Sequence, residues 1–306
     1  MLKKYRLENE KIIELLDGDG NILVYMNPDD KEKKKLIEEY CIDEHNLSSA
    51  LDPDEQSRLE FEENHTAIIF KLPRNYSGGV QLIFRCGTVG VFIFKERVIV
   101  LISEEIDLFN GKLFMKKNTL NGVVLEIIYK SIHHFLKHLK VFNLIADELE
   151  QKINKSMENR YLLNLFTLEK SVVFYLNAIN SNAVLIEKLK NNAQKLGFDQ
   201  TQAEYLDDIL IENNQCYKQA EIYSNIIASL MDARASIVNN NLNVLMKTLN
   251  VITIGIMVPT LVVSIFSMNV GLPMQQKENM FFFILALAAI SVIAFLLLLR
   301  RITKEH

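Results

Sequence analysis

NNNLNVLMKTLNVITIGIMVPTLVVSIFSMN, from Asn239 to Asn269, is the stretch that decides the architecture of this chain. It overlaps a run of 29 uncharged residues between Lys247 and Lys277, and Met280 to Leu299 supplies 20 more. Each run is long enough to cross a hydrocarbon core of about 30 Å at about 1.5 Å per residue. The sequence therefore predicts two carboxy-terminal transmembrane helices, at about 248–268 and 280–299.

One side of the first predicted transmembrane helix is polar. Read from Asn239 in alternate steps of four and three residues, it collects Asn, Thr, Ser and Met and no branched aliphatic residue. A repeat of about 3.5 residues suits several copies of a helix around one axis, and polar side chains inside lipid face other helices or water. This polar stripe consists of Asn239, Asn243, Met246, Asn250, Thr253, Met257, Thr260, Ser264 and Ser267.

Two interpretations of the polar stripe are open. In the first, the Ser and Thr side chains allow helices to pack closely, or they bond to the carbonyl groups of their own helix. In the second, the stripe is the wall of a pore. The three Asn and two Met side chains are bulky for close packing, and they favour the second interpretation.

The charges around the two spans predict the orientation of the chain in the membrane. Arg300, Arg301 and Lys304 follow the second span, whereas the connection 270–279 carries one lysine and one glutamate. By the positive-inside rule, both termini lie in the cytoplasm and the connection is an outer loop. Because the amino terminus has no apolar segment of signal-peptide length, we expect a multi-pass protein of the cell (plasma) membrane with a cytoplasmic soluble part.

The composition excludes several classes of protein. The net charge of -4, without basic runs interleaved with aromatic residues, argues against a nucleic-acid partner. Cys41, Cys86 and Cys216 are isolated, which indicates neither disulfides nor a thiolate zinc site. The sequence contains no glycine-rich phosphate loop and no nucleophile motif, so we do not expect an enzyme.

The amino-terminal part alternates short apolar runs with turns. Residues 12–16 and 22–25 flank DGDGN, which predicts a hairpin with Gly18 or Gly20 at positive φ. Asn27 is predicted to cap a helix that starts through Pro28. Further strands, rich in Val, Ile and Phe, are predicted at 66–72, 80–86, 89–94 and 97–102.

Long helices follow these strands. From about Asn121 to Lys195 apolar residues recur at steps of three and four, which predicts two or three helices. Gly197 ends this region, and Thr201 begins a helix without Pro or Gly until Gly255. This helix merges with the first span into an element of roughly 65 residues.

The predicted fold class is an α+β cytoplasmic domain with a mixed or antiparallel sheet flanked by helices. A long stalk helix follows and is continuous with the first of the two carboxy-terminal transmembrane helices. We expect three domains: the α+β domain at 1–120, a helical bundle and stalk at 121–247, and the membrane domain at 248–306 with its basic tail.

Carboxylates on the stalk are candidate cation ligands, because Mg²⁺ and Ca²⁺ prefer oxygen and neighbouring subunits could share an ion. Asp232 is isolated among apolar residues, where an acid needs a partner. For an acidic group near the start of the stalk, a solvated helix face is the favoured interpretation. That acidic group consists of Glu204, Asp207, Asp208 and Glu212.

Three histidines form a second candidate group. His134 and His138 lie one helical turn apart, a spacing that can chelate zinc, and His133 precedes them. No cysteine or carboxylate accompanies them on the same face. A hydrated helix surface is therefore the favoured interpretation.

Four segments resemble the CorA family of divalent-cation channels. They are NLSSALDPDEQSRLEFEENHTAIIF at 46–70, NVLMKTLN at 243–250, VPTLVVSIFSMNV at 258–270 and RRITK at 300–304. Their order and placement make the resemblance specific, and it covers most of the chain. The family signature at the end of the first span is GMN. Here Ser267 replaces the glycine, which adds a hydroxyl group and removes conformational freedom at the turn.

The resemblance implies a homopentameric channel that carries Mg²⁺ inward, with Co²⁺ or Ni²⁺ as further ions. Met268 and Asn269 would end the pore helix, and neutral Asn amides hydrogen-bond the hydration shell of Mg²⁺ without stripping it. Regulatory Mg²⁺ sites match Asp232 and, less closely, Asp208. The matched pore-lining residues are Asn243, Met246, Leu249, Thr253, Met257, Thr260, Ser264 and Asn269. Leu249 is the apolar constriction in this match, whereas spacing alone selects its neighbour Asn250.

Two alternatives compete with a magnesium channel. The first is a zinc transporter of the same architecture, which Ser267 and the histidine group would suit. The second is a membrane-anchored sensor or assembly protein whose spans tether and oligomerise it without transport. The polar stripe favours the channel, because an anchor has no need of a polar face along its whole span.

Overall fold

The chain forms two compact units, Met1–Asp232 and Ala233–His306. This computed structural model describes residues 1–306 with the exception of 9, 10, 17, 75–82, 107, 110–118, 156–158, 269, 270, 272–279, 305 and 306, and with the side chains of 153–155, 159 and 302–304 also left out. The boundary between the two units at Asp232 is where few contacts connect one part of the chain to the other. The predicted boundary at 247 refers to the bilayer and stays a prediction.

A mixed sheet forms the centre of the first unit, as the predicted fold class requires. In the described part of the chain its strand order is β2-β1-β3-β7-β6-β5-β4. Neighbouring strands are antiparallel except for β3 and β7, where Ile22 lies opposite Val98 in a parallel pair. The strands are β1 (Leu2–Glu8), β2 (Lys11–Leu15), β3 (Ile22–Met26), β4 (Arg58–Phe61), β5 (Thr66–Pro73), β6 (Cys86–Ile93) and β7 (Val98–Ile102).

The predicted hairpin between residues 12–16 and 22–25 is wrong. Strand β1, which the sequence analysis overlooked, lies between β2 and β3 and pairs with both. Gly18 does adopt the predicted positive φ, of 112°. Gly20 lies so close to β1 that an added Cβ would be 2.6 Å from the carbonyl oxygen of Tyr5. The chain therefore passes from β2 to β3 across β1, and β2 and β3 are not neighbours in the sheet.

The predicted strands 80–86 and 89–94 are also corrected. Residues 80–82 lie outside the described part of the chain, and 83–85 are not a strand. Residues 86–93 form one continuous strand, β6, that runs through the expected turn. Within it, a Cβ on Gly90 would overlap the Cβ of Ala50. The glycine here makes room for a neighbouring helix and does not end a strand.

Two short helices cover one side of the sheet. They are α1 (Asp30–Tyr40) and α2 (Glu44–Leu51). Asp29 caps α1, and not Asn27 as predicted, because its side chain accepts a hydrogen bond from the backbone N–H of Glu32 at 2.8 Å. The Glu32 carboxylate in turn accepts from the backbone N–H of Asp29 at 3.1 Å, which completes a capping box.

Alternate residues of each central strand point to opposite faces of the sheet. In β3, Leu23 and Tyr25 pack with α1 and α2, whereas Ile22, Val24 and Met26 pack on the other side. All five are buried, as expected for a strand covered on both faces.

Four long helices complete the described fold. The region 121–195 contains two, which agrees with the prediction of two or three. The long stalk helix is confirmed, and it begins at Gln200 through a capping box of Asp199 and Gln202. The helices are α3 (Leu120–Lys155), α4 (Asn159–Asn191), α5 (Gln200–Phe266) and α6 (Met280–Lys304).

Helix α4 is fastened to the sheet by Asn182, whose side chain is 1% exposed. Strand β4 pairs with β5 only as far as Ile69, so the backbone of Lys71 has no strand partner on that edge. The Asn182 side chain accepts from the backbone N–H of Lys71 and donates to its carbonyl oxygen, both at 2.8 Å. It also accepts from the Ser57 hydroxyl at 2.8 Å. One side-chain amide thus replaces a missing strand residue.

Candidate ion pathway and cation sites

Two helices of the second unit lie side by side and run antiparallel. Phe295 of α6 lies near Gly255 of α5, where an added Cβ would be 3.6 Å from its ring. Farther along α5, Val263 lines a cavity together with Phe281 of α6. Residue numbers rise along one helix as they fall along the other, which defines the antiparallel pair.

The contact between the two helices follows one face of each. On α5 the half-buried residues Val258, Pro259, Val262 and Phe266 continue the row begun by Gly255. On α6 the half-buried residues recur at steps of four and three, as expected for a helix packed along its length. They are Met280, Ile284, Ala288, Ser291, Phe295 and Leu299, and Val292 beside Ser291 is also half-buried.

The polar stripe lies on the opposite face of α5 from this contact. At 3.6 residues per turn, the stripe residues within the helix, from Asn239 to Ser264, lie within about 60° of the direction opposite Gly255. Ser267 follows the helix and lines the cavity shared with Phe281 of α6. Leu249, the residue matched to the apolar constriction, and Asn250 both lie within the same range. The exposed set comprises Asn239, Asn243, Met246, Leu249, Asn250, Thr253, Met257, Thr260, Ser264 and Ser267.

Hydroxyl groups of the stripe bond to their own helix. Thr253 donates to the carbonyl oxygen of Leu249 at 2.8 Å, and Thr260 donates to that of Ile256 at 2.6 Å. A hydroxyl group has one hydrogen and two acceptor lone pairs. Because the hydrogen is used within the helix, each oxygen presents acceptor capacity toward the side that the stripe faces.

The end of α5 accommodates serine at the position of the family glycine. Ser267 follows the last helical residue, Phe266, and its hydroxyl group donates to the carbonyl oxygen of Ser264 at 2.9 Å. It is not among the described non-glycine residues with positive φ, so the turn does not require glycine there. Met268 is 56% exposed. Asn269 lies outside the described residues, as do 270 and 272–279 of the predicted outer loop.

Three described helices are long and apolar enough to cross a membrane: Arg160–Asn191, Gln200–Phe266 and Met280–Arg301. The first is partly buried in the first unit, and its apolar side chains belong to the core there. The apolar segments of the other two have no buried residue. Length, composition and exposure thus agree with the two predicted spans.

The candidate regulatory carboxylates are both exposed on α5. Asp208 and Asp232 are 24 residues apart, or about 36 Å at 1.5 Å per residue, so they cannot share one ion within a chain. Asp207, between Asp208 and the helix start, forms an ion pair with Lys190 at 2.6 Å. Among the described residues no group of three or more His, Cys, Asp or Glu could hold a metal ion.

The histidine group does not lie on a hydrated surface as expected. His138 is 5% exposed, and its Nδ1 is 2.7 Å from the hydroxyl oxygen of Tyr175. Burial, with a further contribution from His134, lowers the pKa of His138 to about 4. Burial also lowers the pKa of His134, and Lys137 adds to that effect. His138 is thus a neutral core residue that joins α3 to α4.

A match to a known protein family shows where this chain belongs. A family model described as CorA-like Mg²⁺ transporter protein matches residues 17–301, which is most of the chain. The chain belongs to this family. It is therefore a membrane transporter of divalent cations and not an enzyme.

Individual relatives agree with this assignment. The chain is 23% identical over 286 residues to the cobalt/magnesium transport protein CorA of Methanocaldococcus jannaschii, covering 90% of this chain and 88% of that protein. The complete structure of the CorA magnesium transporter from the same organism has a TM-score of 0.81 at 20% identity, covering 98% and 96% of the two chains. The structure of the full-length CmaX protein has a TM-score of 0.72 at 15% identity, covering 98% and 97%. The description of the family names Mg²⁺, so the zinc alternative is not favoured.

The residues that hold α5 and α6 together were not predicted from the sequence. Gly255 was noted only as the first glycine of α5, and no residue of α6 was selected. A signal was available, because 284, 288, 291 and 295 follow steps of four, three and four with small residues at Ala288 and Ser291.

Proposed function

We propose that the chain assembles as a homopentameric channel that carries Mg²⁺ into the cell down the membrane potential. Co²⁺ and Ni²⁺ would be further permeant ions, in line with the cobalt/magnesium relative. The proposal rests on one observation. The polar stripe is exposed along the face of α5 opposite α6, where further copies of α5 could meet around an axis.

Hydrated Mg²⁺ fits the chemistry of this stripe. Mg²⁺ dehydrates reluctantly, so the waters around it present their hydrogens to the wall. Hydroxyl groups that donate within their own helix, as those of Thr253 and Thr260 do, offer acceptors to those waters. Leu249 would narrow the pore with an apolar ring that closes by excluding water.

Met268 and Asn269 would form the outer mouth. Five Asn269 amides would bind the hydration shell of an entering ion while remaining neutral, so that the ion can leave again. Ser267, in place of the family glycine, would add hydroxyl groups just below this ring. With the outer loop outside, the α+β domain 1–120 and the bundle and stalk 121–247 would lie in the cytoplasm, and 248–306 in the plasma membrane.

Regulation would use Mg²⁺ itself as a second ligand. Asp232, and Asp208 at a separate site, would contribute carboxylates to ions shared with neighbouring subunits, because one chain does not assemble a complete ligand set in its described part. Bound Mg²⁺ would stabilise the closed arrangement. Its loss at low internal Mg²⁺ would shift the population toward the open state.

Flux into liposomes tests the proposed transport. Purified protein reconstituted with a potential negative inside should admit Mg²⁺ and Co²⁺, detected with entrapped indicator dyes. Asn269→Ala should lower Mg²⁺ flux on the order of tenfold, since the lost amides no longer hydrogen-bond the incoming ion. Flux of Zn²⁺ without Mg²⁺ would support the zinc alternative, and an absence of flux for every ion would support the anchor.

Cytoplasmic inhibition tests the proposed regulation. Asp232→Ala should require several-fold more internal Mg²⁺ for half-maximal inhibition, because it removes a ligand of the shared ion. Glu221→Ala is the matched control, since Glu221 is a carboxylate on the same helix and is paired with Lys218 at 2.8 Å. Equal inhibition of the two variants would remove Asp232 from the regulatory site.

A further inference from the structure

A cavity of about 680 Å³ opens between α4 and the edges of β5 and β6 in the first unit. The turn after α2, at Pro53 and Asp54, forms a third wall. Its volume lies in the range of pockets that bind small molecules, roughly 300–1,000 Å³. It is separate from every residue assigned above to the ion pathway or to the regulatory sites.

Cations dominate the wall of this cavity. Lys71, Arg74, Arg85 and Lys170 line it together with one carboxylate, that of Asp54. Arg74 is compensated by Glu104, at 3.2 Å. Arg85 and Lys170 are exposed, and within the described chain neither has an ion-pair partner. Counting the lining residues and Glu104, four cations face two carboxylates, an excess of positive charge that suits an anion.

Lys71 is an unusual member of this wall because it is 7% exposed. Its Nζ donates to the carbonyl oxygen of Pro53 at 2.5 Å, which uses one of three hydrogens. Burial lowers the pKa of this ammonium group. Asp54, Asp52 and Glu55 raise the pKa again and so compensate the ammonium group in part. A buried ammonium group is costly unless it is paired, so an anion in the cavity would add to this compensation.

The other part of the cavity is aromatic. Phe166 and Phe174 of α4 are 56% and 48% exposed, although both are large apolar side chains. The Nζ of Lys170 lies 5.7 Å from the ring centroid of Phe174, so a basic and an aromatic surface adjoin. Flat aromatic groups stack on such rings. The wall therefore offers two kinds of contact to one ligand.

We propose that this cavity binds a nucleotide, with its phosphates at Lys71, Arg85 and Lys170 and its base on Phe166 and Phe174. Arginine and lysine are the residues that bind phosphate oxygens most effectively. The site does not use a glycine-rich loop, and this explains why no phosphate-binding motif is present in the sequence. The proposal does not depend on the proposed channel.

Isothermal titration calorimetry of the full-length protein in detergent tests the site. A constant excess of Mg²⁺ is kept in all titrations, so that the occupancy of the cation sites does not change. The probes are ADP, adenosine and inorganic phosphate. ADP should bind saturably at or below about 1 mM, and more tightly than either fragment. Arg85→Gln and Lys170→Gln should each weaken ADP binding about tenfold, since each removes hydrogen bonds to a charged group.

Two further variants complete the test. Phe166→Ala should weaken binding of ADP and leave binding of phosphate unchanged. Lys188→Gln, an exposed lysine on the same helix and outside the cavity, should bind ADP as the wild type does. The proposal is overturned if ADP does not bind, if the Arg85 and Lys170 variants bind it normally, or if inorganic phosphate binds as tightly as ADP.

Discussion

The two units differ in whether their apolar side chains are buried within the chain. In Met1–Asp232 the apolar residues form a buried cluster on each face of the sheet. In the described residues 233–301 no hydrophobic side chain is buried. Exposed apolar surface costs about 25 cal/mol per Å² in water, so these helices need an apolar environment such as lipid. The first unit has an apolar core of its own, whereas the second exposes its apolar side chains.

Polar groups show the same difference. In the first unit, the buried Asn182 side chain is paired with Lys71 and Ser57, which lie 111 and 125 residues away in the sequence. In the second unit, Thr253 and Thr260 bond to their own helix one turn away. Local pairing leaves such a helix independent of its neighbours and able to rearrange against them. The following substitutions test this contrast.

Asn182→Ala should have the largest effect on stability, about 4 kcal/mol, because it leaves the buried N–H and carbonyl groups of Lys71 unpaired. Thermal unfolding of the purified protein, followed by circular dichroism, measures the loss. Asn180→Ala is the control, since Asn180 is exposed on the same helix. A midpoint for Asn182→Ala equal to that of the control would show that this pairing does not hold α4 to the sheet.

Gly90 and Gly255 differ in the space that surrounds them, and substitutions at the two positions compare the packing of the two units. Gly90→Ala should destabilise the first unit by about 3 kcal/mol, since its Cβ would overlap that of Ala50. Gly255→Ala places its Cβ at 3.6 Å from Phe295, an ordinary contact, and should change stability by less than about 1 kcal/mol. The same thermal measurement compares them, and equal losses would contradict the contrast between the units.

The pH dependence of His138 gives a smaller effect. Its pKa is lowered to about 4 in the folded protein, from 6.5, so the unfolded state binds more protons between these values. Stability is therefore present above pH 6.5 and is lost as pH falls toward 4, by about 2 kcal/mol between about pH 7.5 and 5. His138→Gln should reduce this loss, whereas His45→Gln, an exposed histidine on α2, should retain it. An unchanged loss in His138→Gln would exclude His138 as its source.

Features set by local pattern were predictable from the sequence. The steps of three and four residues in the helices, and the 29 uncharged residues after Lys247, indicate α3 to α6 without tertiary information. The polar stripe was found by spacing alone for the same reason. These patterns arise because a helix repeats every 3.6 residues, whatever lies around it.

Features that depend on distant partners were not predictable. The place of β1 between β2 and β3 requires Tyr5 to pair across to Ile22, and no local signal states this. His138 is buried because it packs against Tyr175, which lies on another helix 37 residues farther along the chain. The candidate cation sites are incomplete for a related reason. The described chain alone does not bring three ligands together around Asp208 or Asp232.

Flux through a protein with an altered stripe tests the central claim most directly. Thr253→Val combined with Thr260→Val keeps the shape of the helix and removes two acceptors per subunit, so Mg²⁺ flux into liposomes should fall on the order of a hundredfold. Ser291→Ala removes a hydroxyl group that also bonds to its own helix, but on the side of α6 that faces α5, and it should leave flux unchanged. If the double variant carries Mg²⁺ as fast as the wild type, the polar stripe is not the wall of the ion pathway.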